Sequence, residues 1–327
     1  MDRRVFNILY CLSAARIFGI RFPLLVGWSI TNRCNSECLY CTSWRDKKDE
    51  LNTEQLFSII DELADMGTQS ISYTGGEPLI REDIGRIVRY TKNKGIKTGI
   101  SSNGLLVGVK IDDIKGIDSL VLSFDGEEEI HDMQRCSGSY RKVLEAIRLA
   151  KENDIPIRLH TVLTKNNIDS VDYILDFAKR EKLIVSFTVV EFDPFSEKEE
   201  ILKLLPQKER FREVISRLIS EKKAGNKYLG NSTVGLEYFL SWPYCKRMLC
   251  SAGRIYCRIE SNGDVFPCAN LVNETVPQNC IRDGFRNAFK RLSWKNCDIC
   301  WCDTRIEMNY IYSFNLEAIY NAKSIFR

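Results

Sequence analysis

Three cysteines stand close together near the start of the chain. Cys34, Cys38 and Cys41 lie in the stretch TNRCNSECLYCTSW with the spacing C-x3-C-x2-C. Three thiolates at this spacing can hold three irons of a cubane 4Fe-4S cluster, which wants four ligands. One iron is then left open, and an open coordination position is where a substrate or cofactor binds. A zinc knuckle is the alternative, since it too begins with close cysteines, but it needs a fourth ligand and the loop offers no further His or Cys.

The elements that must position this loop follow from the downstream patterning. Asn52 with Gln55 three residues on reads as a capping box, and Leu56, Ile59, Ile60 and Leu63 form one apolar stripe closed by Gly67. A strand follows at 70–73. Ile84, Ile87 and Val88 mark a second helix ended by Gly95, and then a strand spans 96–101. The alternation continues with a helix near 109–115, strands at 119–124, 157–163 and 184–190, and helices over 140–152 and 168–182. With the β-like run that begins at Gly27, six strands alternating with helices imply a parallel sheet with right-handed crossovers. In such architectures ligands sit at the C-terminal ends of the strands. One more helix falls within 201–224, with Phe211, Val214, Ile215, Leu218 and Ile219 on a face.

The cysteine loop resembles the cluster-binding loop of the radical S-adenosylmethionine (radical SAM) enzymes, and the likeness includes Asn35 after the first cysteine and Tyr40 before the third. The resemblance implies that SAM chelates the open iron and that the six β/α units form a partial (β/α)6 TIM-type barrel. It also assigns the strand ends. Gly75-Gly76-Glu77-Pro78 is similar to the motif that binds the SAM amino group: glycines let the backbone approach a ligand, and a carboxylate can accept from an ammonium. Ser102 and Asn103, in the turn SSNG, match the family's small polar turn lining the SAM pocket. Ser123 and Asp125, with His131, Asp132 and Arg135, look like the SLDG...HD..R run of SPASM-type members, where Ser123 and Arg135 would sit by the methionine carboxylate and ribose. His131 and Asp125 also read simply as hydrogen-bonding loop residues.

The carboxy-terminal region holds Cys245, Cys250, Cys257, Cys268, Cys280, Cys297, Cys300 and Cys302. A hairpin over 255–266 with Asn262-Gly263 as its turn lies between Cys250 and Cys268. The pattern resembles the start of a SPASM domain or its shortened twitch form, which hold auxiliary 4Fe-4S clusters. It implies one such cluster on Cys250, Cys268, Cys297 and Cys300. A full SPASM domain continues with further cysteines, whereas here only Cys302 remains; a second cluster would draw on Cys245, Cys257, Cys280 and Cys302. Four thiolates also suit zinc. The chain then divides into an apolar segment 1–26, the barrel 27–200, a helical linker 201–245 and a cysteine-rich SPASM/twitch domain 246–327.

Forty-seven basic residues against 44 acidic ones, with no long block of either sign, argue against nucleic-acid binding. Of the thirteen cysteines, the two clusters near residue 38 and after residue 245 suit metal better than disulfides, and open clusters of this kind point to a reducing cytoplasm. Residues 5–25 are apolar but interrupted by Arg16 and Arg21, too broken to span a bilayer. They read as a helix or hairpin on the core, with a signal peptide or a membrane-surface segment as alternatives. The resemblance implies an enzyme that cleaves SAM to a 5'-deoxyadenosyl radical and takes hydrogen from an unactivated C–H bond, fed by an electron donor such as flavodoxin or ferredoxin. An auxiliary cluster favours dehydrogenation or crosslinking. Epimerisation would need a hydrogen donor such as Cys245, Cys257 or Cys280. A leader-binding domain does not fit the 33 residues before Cys34, which leaves a protein side chain, a peptide delivered by a partner, a small molecule such as a sugar, or a lipid as substrate. A metal-binding scaffold without chemistry is the non-enzymatic alternative.

Overall fold

A computed structural model describes residues 3–45, 49–191, 198–272, 274–293, 297 and 300–325. Six parallel strands form its frame: β1 (Leu25–Thr31), β2 (Ser70–Gly75), β3 (Lys97–Ser102), β4 (Ser119–Ser123), β5 (Ile157–Leu163) and β6 (Ile184–Val189). They lie side by side in chain order. Between them run α2 (Thr53–Asp65), α3 (Ile84–Asn93), the short α4 (Val107–Lys110) and α5 (Glu128–Gln134), α6 (Ser139–Glu152) and α7 (Val171–Glu181), while α1 (Arg3–Phe18) precedes β1. This is the parallel α/β sheet expected from the alternation and the partial-barrel class that the resemblance implies.

Local chemistry accounts for these elements. At the start of α2, Asn52 Oδ1 accepts from the Gln55 N–H at 2.9 Å and Gln55 Oε1 accepts from the Asn52 N–H at 3.0 Å. Two amides that the helix cannot pair are thereby satisfied. Leu56, Ile59, Ile60 and Leu63 are buried, and Ile71 and Tyr73 of β2 and Leu120 and Leu122 of β4 meet the helices in the same core. Strand side chains alternate, so Ser70, Ser72 and Thr74, then Ser119 and Ser123, then Arg158 and His160, fall on the opposite, inner face. That face is rich in hydroxyls.

The cysteine-rich end joins the same sheet. β7 (Tyr256–Ile259) pairs parallel with β1, Gly27 opposite Arg258, and β8 (Asp264–Phe266) and β9 (Gln278–Asn279) add on antiparallel. The hairpin expected over 255–266 is β7–β8. Gly27 permits the pairing: a Cβ there would lie 2.9 Å from the Tyr256 hydroxyl. At the other edge, Val185 of β6 bonds the backbone of Tyr228 and Gly230, and the Asn231 side-chain amide bonds both the N–H and the carbonyl of Phe187 at 2.8 and 2.9 Å.

Residues 201–245 hold the end of α8 (Lys198–Leu202), then α9 (Lys208–Lys223) and α10 (Thr233–Phe239). Phe211, Val214, Ile215 and Leu218 of α9 are buried in the main core. The chain closes with α11 (Cys280–Asp283), α12 (Phe285–Lys290), α13 (Asp303–Tyr312) and α14 (Leu316–Ile325). A second, smaller core joins Leu12 and Ala15 of α1 to Ile311, Tyr312, Ala318 and Ala322. Among the described residues no helix is long and apolar enough to cross a membrane.

Candidate active site

The cysteine loop leaves the C-terminal end of β1 and is pinned at both sides. Thr31 Oγ1 and Arg33 donate to Glu50, the latter through Nε at 3.1 Å and Nη2 at 3.0 Å, and the Leu39 N–H donates to the Gln134 carbonyl at 3.0 Å. Polar groups surround the thiols. Asn103 Nδ2 lies 3.9 Å from Cys34 Sγ, Arg135 Nη1 3.7 Å and Ser36 Oγ 3.4 Å from Cys38 Sγ, and Cys41 Sγ is 3.5 Å from Ser43 Oγ. Burial first, and then the charges of Glu77, Cys38 and Cys41, push the Cys34 thiol up to about 12. Three thiols on one loop, with N–H groups of Asn103 and Arg135 beside two of them, are the kind of donor set that would hold a multiply charged iron cluster.

The turn after β2 does something the sequence did not show. Gly75, at φ +126°, and Gly76 stand where a Cβ would lie 2.1 Å from the Thr31 carbonyl oxygen and 2.2 Å from that of Arg33. The Gly76 and Glu77 N–H groups each donate to those carbonyls at 2.8 Å. The close approach expected toward a ligand is therefore used, in this structure, by the backbone of the cysteine loop. Pro78 is buried and opens a 3-10 turn. Glu77 is fully buried; its carboxylate accepts from the Leu79 N–H, the Ser102 hydroxyl and the Asn103 N–H at 3.1, 3.0 and 2.8 Å. Burial nonetheless raises its pKa to about 7, against those lowering bonds.

Arg135 is engaged by protein groups. Its Nε donates to Asp125 Oδ2 at 2.7 Å and its Nη2 to the Tyr40 hydroxyl at 2.5 Å, while Tyr40 donates to the same Asp125 oxygen at 2.8 Å. The guanidinium fork is thus turned toward the protein and toward Cys38. Burial works against the Arg135 charge, but Asp125, Tyr40 and Cys38 outweigh it and hold its pKa above the ordinary value. Burial holds the Tyr40 hydroxyl well above its usual range. His131 is buried, with Nδ1 accepting from the Asp125 N–H at 3.1 Å; burial and then Arg135 lower its pKa to about 4, so it is a neutral structural acceptor. Ser123 ends β4 on the inner face, in register with His160.

Cys250, Cys268, Cys297 and Cys300 line one cavity together with Tyr256, Asn270, Arg305 and Asn309. Asn309 Nδ2 lies 3.8 Å from Cys300 Sγ, and its Oδ1 accepts from the backbone and hydroxyl of Ser251, both at 2.8 Å. Arg305 is paired with Glu191. Burial pushes the Cys268 thiol up to about 11, with Arg305 opposing and Cys250 and Cys297 adding. Cys257 and Cys280 are instead buried in the main apolar core, where desolvation raises both thiols. Neither reaches the inner face, so the hydrogen-donor role weighed for them has no geometric basis. Cys245 Sγ is 2.6 Å from the Tyr238 hydroxyl.

Sequence reasoning passed over three groups on or beside α13. Arg305 and Asn309, spaced i, i+4, turn toward the four-cysteine cavity. Asp303 Oδ1 lies 3.4 Å from His160 Nε2 on the inner face. Burial opposes the His160 charge, but Asp303 prevails and raises its pKa. The signal available was two polar residues at helical spacing directly after the last cysteines.

A parallel six-strand partial barrel with three thiols after its first strand and a buried glutamate after its second is the frame of a radical SAM domain. Residues 28–178 match the radical SAM superfamily profile, so this part of the chain is a radical SAM domain. It is 27% identical over 285 residues to mycofactocin maturase MftC of Mycolicibacterium smegmatis, covering 83% of this chain and 71% of the relative. It is 26% identical over 299 residues to the AdoMet-dependent heme synthase of Methanosarcina barkeri, covering 85% of this chain and 83% of that one. Among solved structures, Streptococcus suis SuiB bound to precursor peptide SuiA superposes with a TM-score of 0.66 at 19% identity, over 87% of this chain and 69% of SuiB, a likeness of fold.

Proposed function

We propose that the chain is a radical SAM maturase that oxidatively modifies a peptide, by dehydrogenation or crosslinking, with an auxiliary 4Fe-4S cluster beside the substrate. The observation that carries this reading is that Cys250, Cys268, Cys297 and Cys300 line one cavity, to which α13 contributes Arg305 and Asn309 while its Asp303 meets His160 on the inner face of the sheet. When bound, the cluster of Cys34, Cys38 and Cys41 with SAM supplies the 5'-deoxyadenosyl radical that takes the substrate hydrogen.

The chain's own residues would divide the remaining work. Asn103 and Arg135 hold donors toward Cys34 and Cys38, and Asn309 holds one toward Cys300. Tyr40, Glu77, Pro78, Ser102 and Asp125 fix the walls around SAM, with Gly75 and Gly76 seating the loop, and Ser123 offers a hydroxyl on the inner face. His160, oriented by Asp303, is the group there able to receive a proton. The hydroxyls of Ser70, Ser72, Thr74, Ser119 and Ser123 favour a polar chain over a lipid. A maturase among the relatives, and a precursor peptide on the SuiB fold, support a peptide as that chain. Flavodoxin or ferredoxin would deliver the electron.

The test is iron content after anaerobic reconstitution, with 5'-deoxyadenosine measured on addition of SAM and dithionite. Wild type should hold about eight irons, and a variant with Cys250, Cys268, Cys297 and Cys300 all changed to Ala about four, while still cleaving SAM. Equal iron in both would remove the auxiliary cluster from the reading.

A further inference from the structure

The end of α1 is an exposed apolar tip among the described residues. Ile17 and Phe18 are 67% and 75% exposed, Ile20 is exposed beyond the turn at Gly19, and Tyr10 is exposed one face up the helix. The opposite side of the same helix is buried through Leu12, Ala14 and Ala15. The tip is thus held rigidly outward by a packed helix, with large side chains where solvent-facing helices carry polar ones. Leu316 and Tyr320, i and i+4 on α14, are 81% and 75% exposed, and α14 shares the small core of α1.

The charge around this tip has one sign. From Arg3 through Ser36 the chain has no acidic residue, while Arg3, Arg4, Arg16, Arg21 and Arg33 fall in the same stretch. Arg21 donates to the carbonyls of Lys290 and Leu292 at 3.1 and 2.9 Å, which places its charge beside exposed Lys290. Among the described residues neither Arg16 nor Arg21 has a carboxylate partner. Apolar side chains flanked by unneutralised cations are complementary to one surface in particular, the headgroup and upper acyl region of an anionic bilayer.

We propose that the tip of α1, with Ile17, Phe18 and Ile20 inserted and Arg16, Arg21 and Lys290 around them, docks the enzyme onto an anionic lipid surface. The topology makes this compatible with catalysis. The tip precedes the N-terminal end of β1, whereas the cysteine loop follows its C-terminal end, so the docked face and the mouth of the site lie at opposite ends of the strand. The lipid is a platform and not the substrate.

The experiment is co-sedimentation of the full chain with vesicles of phosphatidylcholine alone or mixed with phosphatidylglycerol, at low and high salt. Wild type should pellet with the anionic vesicles only, and less so in high salt. Ile17→Glu/Phe18→Glu should lower the bound fraction about tenfold, and Arg16→Glu more weakly, both keeping the wild-type circular dichroism and SAM cleavage. Binding equal on neutral vesicles, binding absent on both, or binding unchanged in the double variant would each overturn the proposal. A wild-type dimer that the double variant loses in analytical ultracentrifugation, without vesicle binding, would assign the face to a second copy of the chain instead. None of these outcomes depends on whether the substrate is a peptide.

Discussion

Asp125 is the place to break the site. It is fully buried and its carboxylate accepts from Arg135 at 2.7 Å, Tyr40 at 2.8 Å and the Val162 N–H at 3.3 Å. Changing Asp125 to Ala strands the Arg135 guanidinium, itself buried, without a counter-charge. Breaking one partner of a buried ion pair costs about 3–5 kcal/mol, and the lost Tyr40 bond adds about 1 kcal/mol. Urea unfolding of the cluster-free protein, followed by circular dichroism, should register a loss of about 4–6 kcal/mol. Arg135→Met alone should cost a similar amount, because Asp125 is then left unpaired. The two costs should not add. Asp125→Leu with Arg135→Met removes both charges, and apolar replacement of a whole buried pair is often close to neutral, so the double variant should be more stable than either single one. Singles under about 1 kcal/mol, or additive costs, would refute the view that this triad is one desolvated unit.

Three further outcomes follow from the same geometry. His131 has its pKa lowered from 6.5 to about 4, so between these values the unfolded chain binds more protons and stability falls as pH drops through that window, by about 3 kcal/mol in full; His131→Asn, whose amide oxygen can still accept from the Asp125 N–H, should flatten that part of a stability-against-pH curve. His160 is shifted the other way, so its contribution is complete below pH about 6.5 and fades as pH rises through its folded pKa; histidine NMR should show one imidazole titrating late, and Asp303→Asn should move it down. Gly76→Ala would set a methyl against the Arg33 carbonyl, which as backbone cannot swing away, and should cost about 1–3 kcal/mol and lower reconstituted iron.

What could be read from the chain was whatever is local. The capping box at Asn52, the stripe from Leu56 to Leu63, the hairpin turn at Asn262-Gly263 and the cysteine spacings each depend on residues a few positions apart. The partners of those residues were another matter. That Gly76 serves the backbone at Arg33, that Arg135 is spent on Asp125 and Tyr40, and that His160 meets Asp303 all depend on how strands and loops come together in space. Tight turns and catalytic turns use the same residue types, so the motif alone did not say which neighbour the glycines admit. Likewise β7 carries no mark in sequence of pairing with β1 rather than standing in a body of its own.

The Asn231 amide at the edge of β6 stands in for a strand. It presents one donor and one acceptor to Phe187 in the manner of a peptide unit, so the outward N–H and carbonyl of Phe187 are satisfied without a further strand. A strand added to the sheet on that side would find Phe187 already occupied. Among the described residues the other edge of the sheet is β9, two residues long and built from the cysteine-rich end of the chain, so a strand added there would lie against that end.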